Sequence, residues 1–271
     1  MRSFRSLGAA AAILWLAGLA CPQGAAGAEL DCLIEPFLTV NVGSPVEALL
    51  EKVEVDRGDL VTQGQVLARL ESSVERATVE LARARAVMES GIRSGQVRLD
   101  YSIRKVASNA DLLKQNAISE REVDEAMAQR DLNEIALVEA RETKRLAELE
   151  LGRAEAALMQ RTIRSPVNGV VTERILSAME LARQLPIVKI AQLHPLRVEV
   201  FAPIGLLGKI AVGSTAQVMP ESPLGGSHAA KVTVVDRVVD AASGTFGVRL
   251  ELPNPDYRIP AGLKCRVRLG R

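Results

Sequence analysis

The sequence predicts an elongated α+β protein: a small β-domain split in two, an antiparallel helical hairpin inserted between the halves, and a small β-barrel after them. Three observations predict it. Residues 73–160 contain no proline and are built largely from Ala, Leu, Glu, Arg, Gln and Val, mostly good helix formers. The text flanking that stretch repeats itself, Ser44 recurring as Ser165, 121 positions on. Residues 194–271 alternate short apolar runs with turn residues, the pattern of a small sandwich or barrel.

Residues 1–28 read as a cleaved secretory signal. Arg2 and Arg5 give a positive start, residues 7–20 are apolar, and Ala26-Gly27-Ala28 offers small residues before Glu29. The apolar run is short for a membrane span. Cleavage would turn the formal charge from +1 to about −1, so nothing points to a nucleic-acid partner. Cys21, just past the apolar run, carries a second reading as a lipidated anchor. Gly18 stands where such a signal usually has leucine, so the plain signal is preferred.

From Glu29 to residue 72 the chain reads as strands and turns. Residues 33–42 are an apolar run broken by Pro36, expected as an edge strand. Ser44-Pro45-Val46-Glu47-Ala48-Leu49-Leu50 leads to a turn at Asp56-Arg57-Gly58-Asp59 and a strand ending at Leu70. Beyond the helical stretch, residues 161–193 echo this segment. Ser165-Pro166-Val167-Asn168-Gly169-Val170-Val171 matches the first motif, and Glu180-Leu181 matches Asp59-Leu60. Gly58 and Gly64 face Met179 and Leu185, so the turns need not match. One copy buries little alone. The expectation is that the copies pair about a pseudo-two-fold axis into one β-body.

Residues 73–160 then form the hairpin. Asn116 suits the left-handed backbone that ends a helix. Ser119 followed by Glu122 is a capping box that starts the next one. Arms of ~40 residues extend ~60 Å, so the hairpin must project. Ile92, Leu99, Val106 and Leu113 recur every seventh residue, with Ile103 and Ala110 between them, as a coiled-coil seam does. Leu132, Ile135, Leu146 and Leu149 form the expected stripe of the second arm, interrupted by Glu139 and Glu142. Gly91 and Gly95 mark an expected bend. Wide charged faces and a narrow apolar stripe argue against two core helices of a globular α-domain.

Residues 194–271 are the third unit. Strands are expected at 196–200, 215–219, 231–239, 245–252 and 263–269, with a short helix at 203–210.

Chemistry-bearing constellations are scarce. His194 and His228 lie in turn-like contexts with no metal-ligand spacing to Cys or carboxylates. No phosphate loop or nucleophile elbow appears. Paired carboxylates such as Glu139 and Glu142 read as solvated surface. The chain is therefore expected to be no enzyme. Cys32 and Cys265 lie near the two ends of the mature chain. In an oxidising compartment a bond between them would close a long loop; two buried thiols are the alternative, and the sequence leaves both open.

The order half-domain, hairpin, half-domain, barrel resembles the periplasmic adaptor, or membrane fusion protein, family of bacterial efflux and secretion systems. The carriers of the resemblance are Gly58-Asp59-Leu60-Val61, Gly64 and Leu67 on one side and Ile163-Arg164-Ser165-Pro166-Val167-Asn168-Gly169-Val170-Val171 on the other, which look like the family's split lipoyl-like motifs. The resemblance implies a bridge between an inner-membrane transporter and an outer-membrane channel. A resistance–nodulation–division transporter is favoured over an ATP-driven one, and a hexameric ring is implied. It implies a hairpin tip that meets the duct through an Arg–Leu–Ser pattern. Here Leu112 and Ser119 fit, and Ser108 holds the Arg position. Leu112 also reads as filler of the last coiled-coil layer. Arg104, Lys105 and Lys114 lie near enough to supply charge. The resemblance also implies a further membrane-proximal domain after the barrel, and none is expected here, since few residues follow the last strand. No cofactor is implied: the lysine of true lipoyl or biotinyl carriers is missing from the turn at Asp56-Arg57-Gly58, and Lys52 falls in a strand. A free-standing coiled-coil tether and, less favoured, a lipoyl or biotinyl carrier are the remaining alternatives. The implied location is the periplasm, at the inner membrane if Cys21 is lipidated.

Overall fold

The computed structural model describes residues 29–270; the signal segment and Cys21 lie outside them. Two β-bodies share one strand ribbon, and a helical hairpin grows from the first body. The strands are β1 (Glu29–Val42), β2 (Ala48–Val53), β3 (Leu60–Val61), β4 (Val66–Leu70), β5 (Thr162–Arg164), β6 (Gly169–Arg174), β7 (Leu181–Ala182), β8 (Val188–Pro203), β9 (Thr215–Pro220), β10 (His228–Asp240), β11 (Thr245–Leu252) and β12 (Lys264–Leu269).

The segments on either side of the hairpin close into one body. Leu50, Val61, Leu67 and Leu70 share a single buried cluster with Ile163, Val171, Ile187 and Ile190. The pseudo-two-fold is visible atom by atom. Leu60 pairs with Val170 as Leu181 pairs with Leu49. Val171 N donates to Asp59 O at 2.9 Å, and Leu50 N to Glu180 O at 2.9 Å. Asp59 Oδ2 accepts from Asp56 N at 2.7 Å, and Glu180 Oε2 from Ser177 N at 2.9 Å. The first pair of turns therefore matches despite the change of residue, whereas the second does not, Gly64 having φ +84° and Leu185 no left-handed backbone. Gly58 has φ +96° and Met179 has φ +70°. Met179 accepts the left-handed backbone because its N–H bonds Leu50 O, as Gly58 N–H bonds Val171 O, both at 2.8 Å.

The second body is a closed six-stranded antiparallel barrel in the order β1-β12-β9-β10-β11-β8, with β8 pairing back to β1. Along β8, Leu196, Val198, Val200 and Ala202 are buried while Arg197, Glu199 and Phe201 alternate outward, the period of a strand with one dry face. Leu196, Phe246, Leu250 and Leu252 fill the interior. The expected helix at 203–210 is only a single 3-10 turn, Ile204–Leu206.

β1 is not an edge strand. Its first part closes the barrel between β12 and β8, and its second part pairs with β8 again inside the first body. The register shifts between Pro36 and Leu38, where proline has no N–H to give the ladder. A loop after β11 pins this junction. Asn254 is buried; its Nδ2 donates to Leu193 O at 3.1 Å and Ile259 O at 2.9 Å, and its Oδ1 accepts from Ile259 N at 3.1 Å. Its backbone N–H donates to His194 Nδ1 at 3.0 Å.

The hairpin comprises α1 (Ser73–Ala86), α2 (Ser90–Lys114) and α3 (Glu120–Met159). Its feet are the β4–β5 pair, and Arg161 Nη2 meets Glu75 Oε1 across them. The first arm breaks at 87–89, just before the glycines where the sequence places a bend. The break absorbs a change of phase: α1 buries Val79, Ala82 and Ala86, whereas α2 turns Ile92, Gly95 and Leu99 inward. Lys144 Nζ reaches Glu89 Oε1 across the break at 2.7 Å.

The seam of α3 is not the predicted stripe. Leu132, Ile135, Leu146 and Leu149 are all exposed, Leu146 by 63%. The inward face is Val123, Ala126, Arg130, Asn133, Leu137, Ala140, Lys144, Ala147, Leu151 and Ala154, spaced three and four apart as knobs-into-holes packing requires. Small residues let the helices approach: a Cβ on Gly95 would lie 3.3 Å from Leu137 Cα. On α2, Ile103 is likewise outside, and Ser102 takes the seam, its Oγ bonding Leu99 O at 2.8 Å.

Candidate functional site at the hairpin tip

The tip is a five-residue connection closed by backbone bonds. Asn116 adopts φ 55°, the residue at which a left-handed turn ends α2. Its N–H donates to Leu113 O at 2.8 Å, and Ala117 N–H donates to Leu112 O at 2.9 Å. These bonds satisfy carbonyls that the helix end leaves free. On the other side Ser119 and Glu122 form the capping box of α3, with Ser119 N donating to Glu122 Oε2 at 2.8 Å. That backbone donor, aided by the Ser119 hydroxyl, holds the Glu122 carboxyl below the ordinary glutamate range. Asn109 Nδ2 reaches Glu122 O at 3.4 Å and ties the arms one layer below.

The predicted contact residues fall around this turn. Ser119 is the exposed cap. Leu112 is 37% exposed and does not fill the last layer; Leu113 is the seam residue. The reason is helical phase, since the inward series 99, 106 and 113 leaves residue 112 beside the seam. Ser108 lies exposed on the back of α2, away from Ser119. Of the nearby cations, Lys114 is held by Asp111 at 2.9 Å, while Arg104 and Lys105 stand in solvent. Asn109 and Leu113 hold the tip together, and sequence reading passed over Asn109 because a polar seam residue breaks the apolar pattern.

Elsewhere, a disulfide joins Cys32 and Cys265, register partners across β1 and β12 with Cα atoms 4.9 Å apart. His194 serves the Asn254 loop and His228 begins β10, so the two are not brought together. Lys52 lies in β2 beside Glu54. Among the described residues no group of three or more His, Cys, Asp or Glu is placed to hold a metal ion, and no helix is long and apolar enough to cross a membrane.

A split β-body, a projecting hairpin with a closed tip, and a barrel on a shared ribbon define a class of protein. Two family models match the chain: the CzcB-like barrel-sandwich hybrid domain over residues 38–191, and the CusB-like β-barrel domain over residues 197–271. The first match takes in more than half of the sequence, and the chain belongs to the periplasmic adaptor, or membrane fusion protein, family. Among proteins it resembles is the efflux pump periplasmic linker BepD of Brucella suis biovar 1, 23% identical over 258 residues, covering 89% of this chain and 62% of BepD. An uncharacterized protein of Haemophilus influenzae is 23% identical over 241 residues, covering 88% of this chain and 56% of that protein. The chain thus spans less than two thirds of the length of these relatives. The crystal structure of MacA from Actinobacillus actinomycetemcomitans shares the fold with a TM-score of 0.75 at 21% identity, over 90% of this chain and 78% of MacA.

Proposed function

We propose that the chain is the periplasmic adaptor of an efflux or export machine, linking an inner-membrane transporter, of resistance–nodulation–division type, to an outer-membrane exit duct. One observation carries this reading: segments more than a hundred residues apart close into one β-body, so the chain between them is forced out as a rod. A 40-residue α3 gives that rod ~60 Å of reach. Its role is geometric, with energy supplied by the transporter. The matching family models and the likeness to BepD, an efflux pump periplasmic linker, support an efflux role.

The duct contact is assigned to the tip, at Ser108, Leu112 and Ser119. Leu112 is the apolar member, and its partial exposure beside a rigid turn suits packing against another helical end. Copies of the chain associate side by side, as a hexameric ring in this reading, because a lone hairpin of this length has little tertiary support. Leu112→Asp should abolish efflux and capture of the outer-membrane channel from envelope extracts, with helicity by circular dichroism unchanged. Wild-type efflux in that variant would remove the tip contact.

A further inference from the structure

The Cys32–Cys265 disulfide ties β1 to β12, and it lies on the inner side of that seam. Along β1, Leu30, Cys32 and Ile34 belong to the buried cluster of the barrel, as Cys265 and Val267 do on β12. The register partners on either flank, Val200 of β8 and Pro220 of β9, are buried as well. The bond therefore sits in a dry row, Val200, Cys32, Cys265, Pro220, that runs round the inside of the wall. Cys32 is 6% exposed and Cys265 2%. The outer face of the same seam is wet: Asp31 and Arg266, the next register pair, are both exposed, as the alternation of strand side chains requires.

Thiol–disulfide exchange needs a thiolate to reach a sulfur atom, and a closed wall with its sulfurs on the dry side offers no such approach. The seam is the part of the wall that can open. It joins residues 29–33 to residues 264–268, whereas β8 holds the other edge of β1 from Cys32 to Val42. β12 pairs only with β1 and β9. Opening the seam thus bares both sulfurs and leaves the first body and its hairpin in place. From Glu29 onward the sequence has no cysteine but these two, so neither thiol has a wrong partner within the chain.

We propose that the Cys32–Cys265 bond is made on the open seam by a thiol–disulfide exchange enzyme of the cell envelope, and is then sealed inside when the barrel closes. The thiolate of one cysteine attacks the enzyme's disulfide, forming a mixed disulfide and freeing one enzyme thiolate. The thiolate of the other cysteine attacks the sulfur of the first, forming the Cys32–Cys265 bond and expelling the second enzyme thiolate. Two electrons and two protons pass from the chain's thiols to the enzyme, whose disulfide becomes a dithiol. The closed barrel then guards the bond in both directions. An oxidised chain resists reduction until the seam opens, and a chain that closes with free thiols stays reduced. Oxidation is in this way a step of barrel closure, and the finished barrel depends on a redox partner that the rest of the fold does not need.

The seal is tested by reducing the purified full chain with dithiothreitol and counting free thiols by alkylation and intact mass. Asp31→Cys with Arg266→Cys, in a chain that also carries Cys32→Ala and Cys265→Ala, moves the bond to the outer face of the same seam. Leu33→Cys with Lys264→Cys is a second such pair. The native bond should be reduced at least about tenfold more slowly than an outer-face bond, and urea below the global midpoint should speed the native reduction alone. Equal rates for native and outer-face bonds would overturn the seal. In an envelope stripped of its thiol–disulfide oxidase, the chain should carry two free thiols; complete bonding there would overturn the enzymatic step. Cys32→Val with Cys265→Ala keeps the interior filled without the bond. Amides at 29–33 and 264–268 should exchange at least about tenfold faster in that variant than in the bonded protein, with helicity unchanged. Exchange as slow as in the bonded protein would show that the seam stays shut on its own and that the bond seals nothing.

Discussion

Met179 occupies a backbone position that its pseudo-symmetric partner fills with glycine. A left-handed conformation costs a non-glycine residue roughly 1–2 kcal/mol, and the side chain is 73% exposed, so it recovers little by packing. Met179→Gly should therefore raise stability by about 1 kcal/mol, read as a shift of the urea midpoint at unchanged slope. An unchanged or lowered midpoint would mean that the thioether packs somewhere its exposure does not reveal. The same residue explains why the sequence hid this turn. The repeat was legible from Ser44 and Ser165, whose hydroxyls each bond the carbonyl two residues on, at Val46 and Val167. At the next turn methionine stands for glycine, and only the backbone bond to Leu50 shows the two turns to be alike. Gly169 was readable as part of the motif but its necessity was not: a Cβ there would sit 2.3 Å from Ala191 O, in a strand 22 positions away in sequence.

The helices show how an apolar pattern can be read correctly and placed on the wrong side. Large apolar residues recur along α3, and the eye follows them, yet they lie on its back. Alanines at 126, 140, 147 and 154 line the seam beside Val123, Leu137 and Leu151; they contribute little to any hydrophobicity signal but allow close approach. On α2, where the seam keeps Ile92, Leu99, Val106 and Leu113, the sequence placed the face correctly except at Ile103, which lies outside while Ser102 takes the seam. Caps were more legible still, since Asn116, Ser119 and Glu122 act through local bonds. The Glu122 carboxyl is held below its ordinary range by the Ser119 N–H. Its contribution is thus fully present above the unfolded-state pKa and is lost as pH falls through the lowered folded-state value. Amide exchange at the start of α3 should accelerate in that acid window while the seam around Leu137 stays protected. Glu122→Gln, which keeps an acceptor and removes the charge, should flatten this pH dependence. A pH response of the same size in that variant would assign the effect to another group.

Across the whole molecule, the angle between the two β-bodies rests on β1, β8 and the Asn254 loop. Asn254→Ala leaves Leu193 O and the Ile259 backbone without partners, at about 2–3 kcal/mol. It should also broaden the spin-label distance distribution between barrel and hairpin foot, with the barrel core intact by near-ultraviolet circular dichroism. A distribution as narrow as wild type would show that the strand ribbon alone fixes the angle. The domain order was legible because composition changes sharply at residues 73 and 160. The sharing of β1 was not, since an apolar run with one proline looks the same at an edge and at a closing seam. That sharing sets the order of assembly. Leu30 and Val267 are register partners, so β1 cannot close the barrel until β12 has been made. Until then the barrel lacks a wall, whereas the first body needs nothing beyond β8, so the nascent molecule can raise its hairpin on a finished foundation while the barrel beside it still stands open.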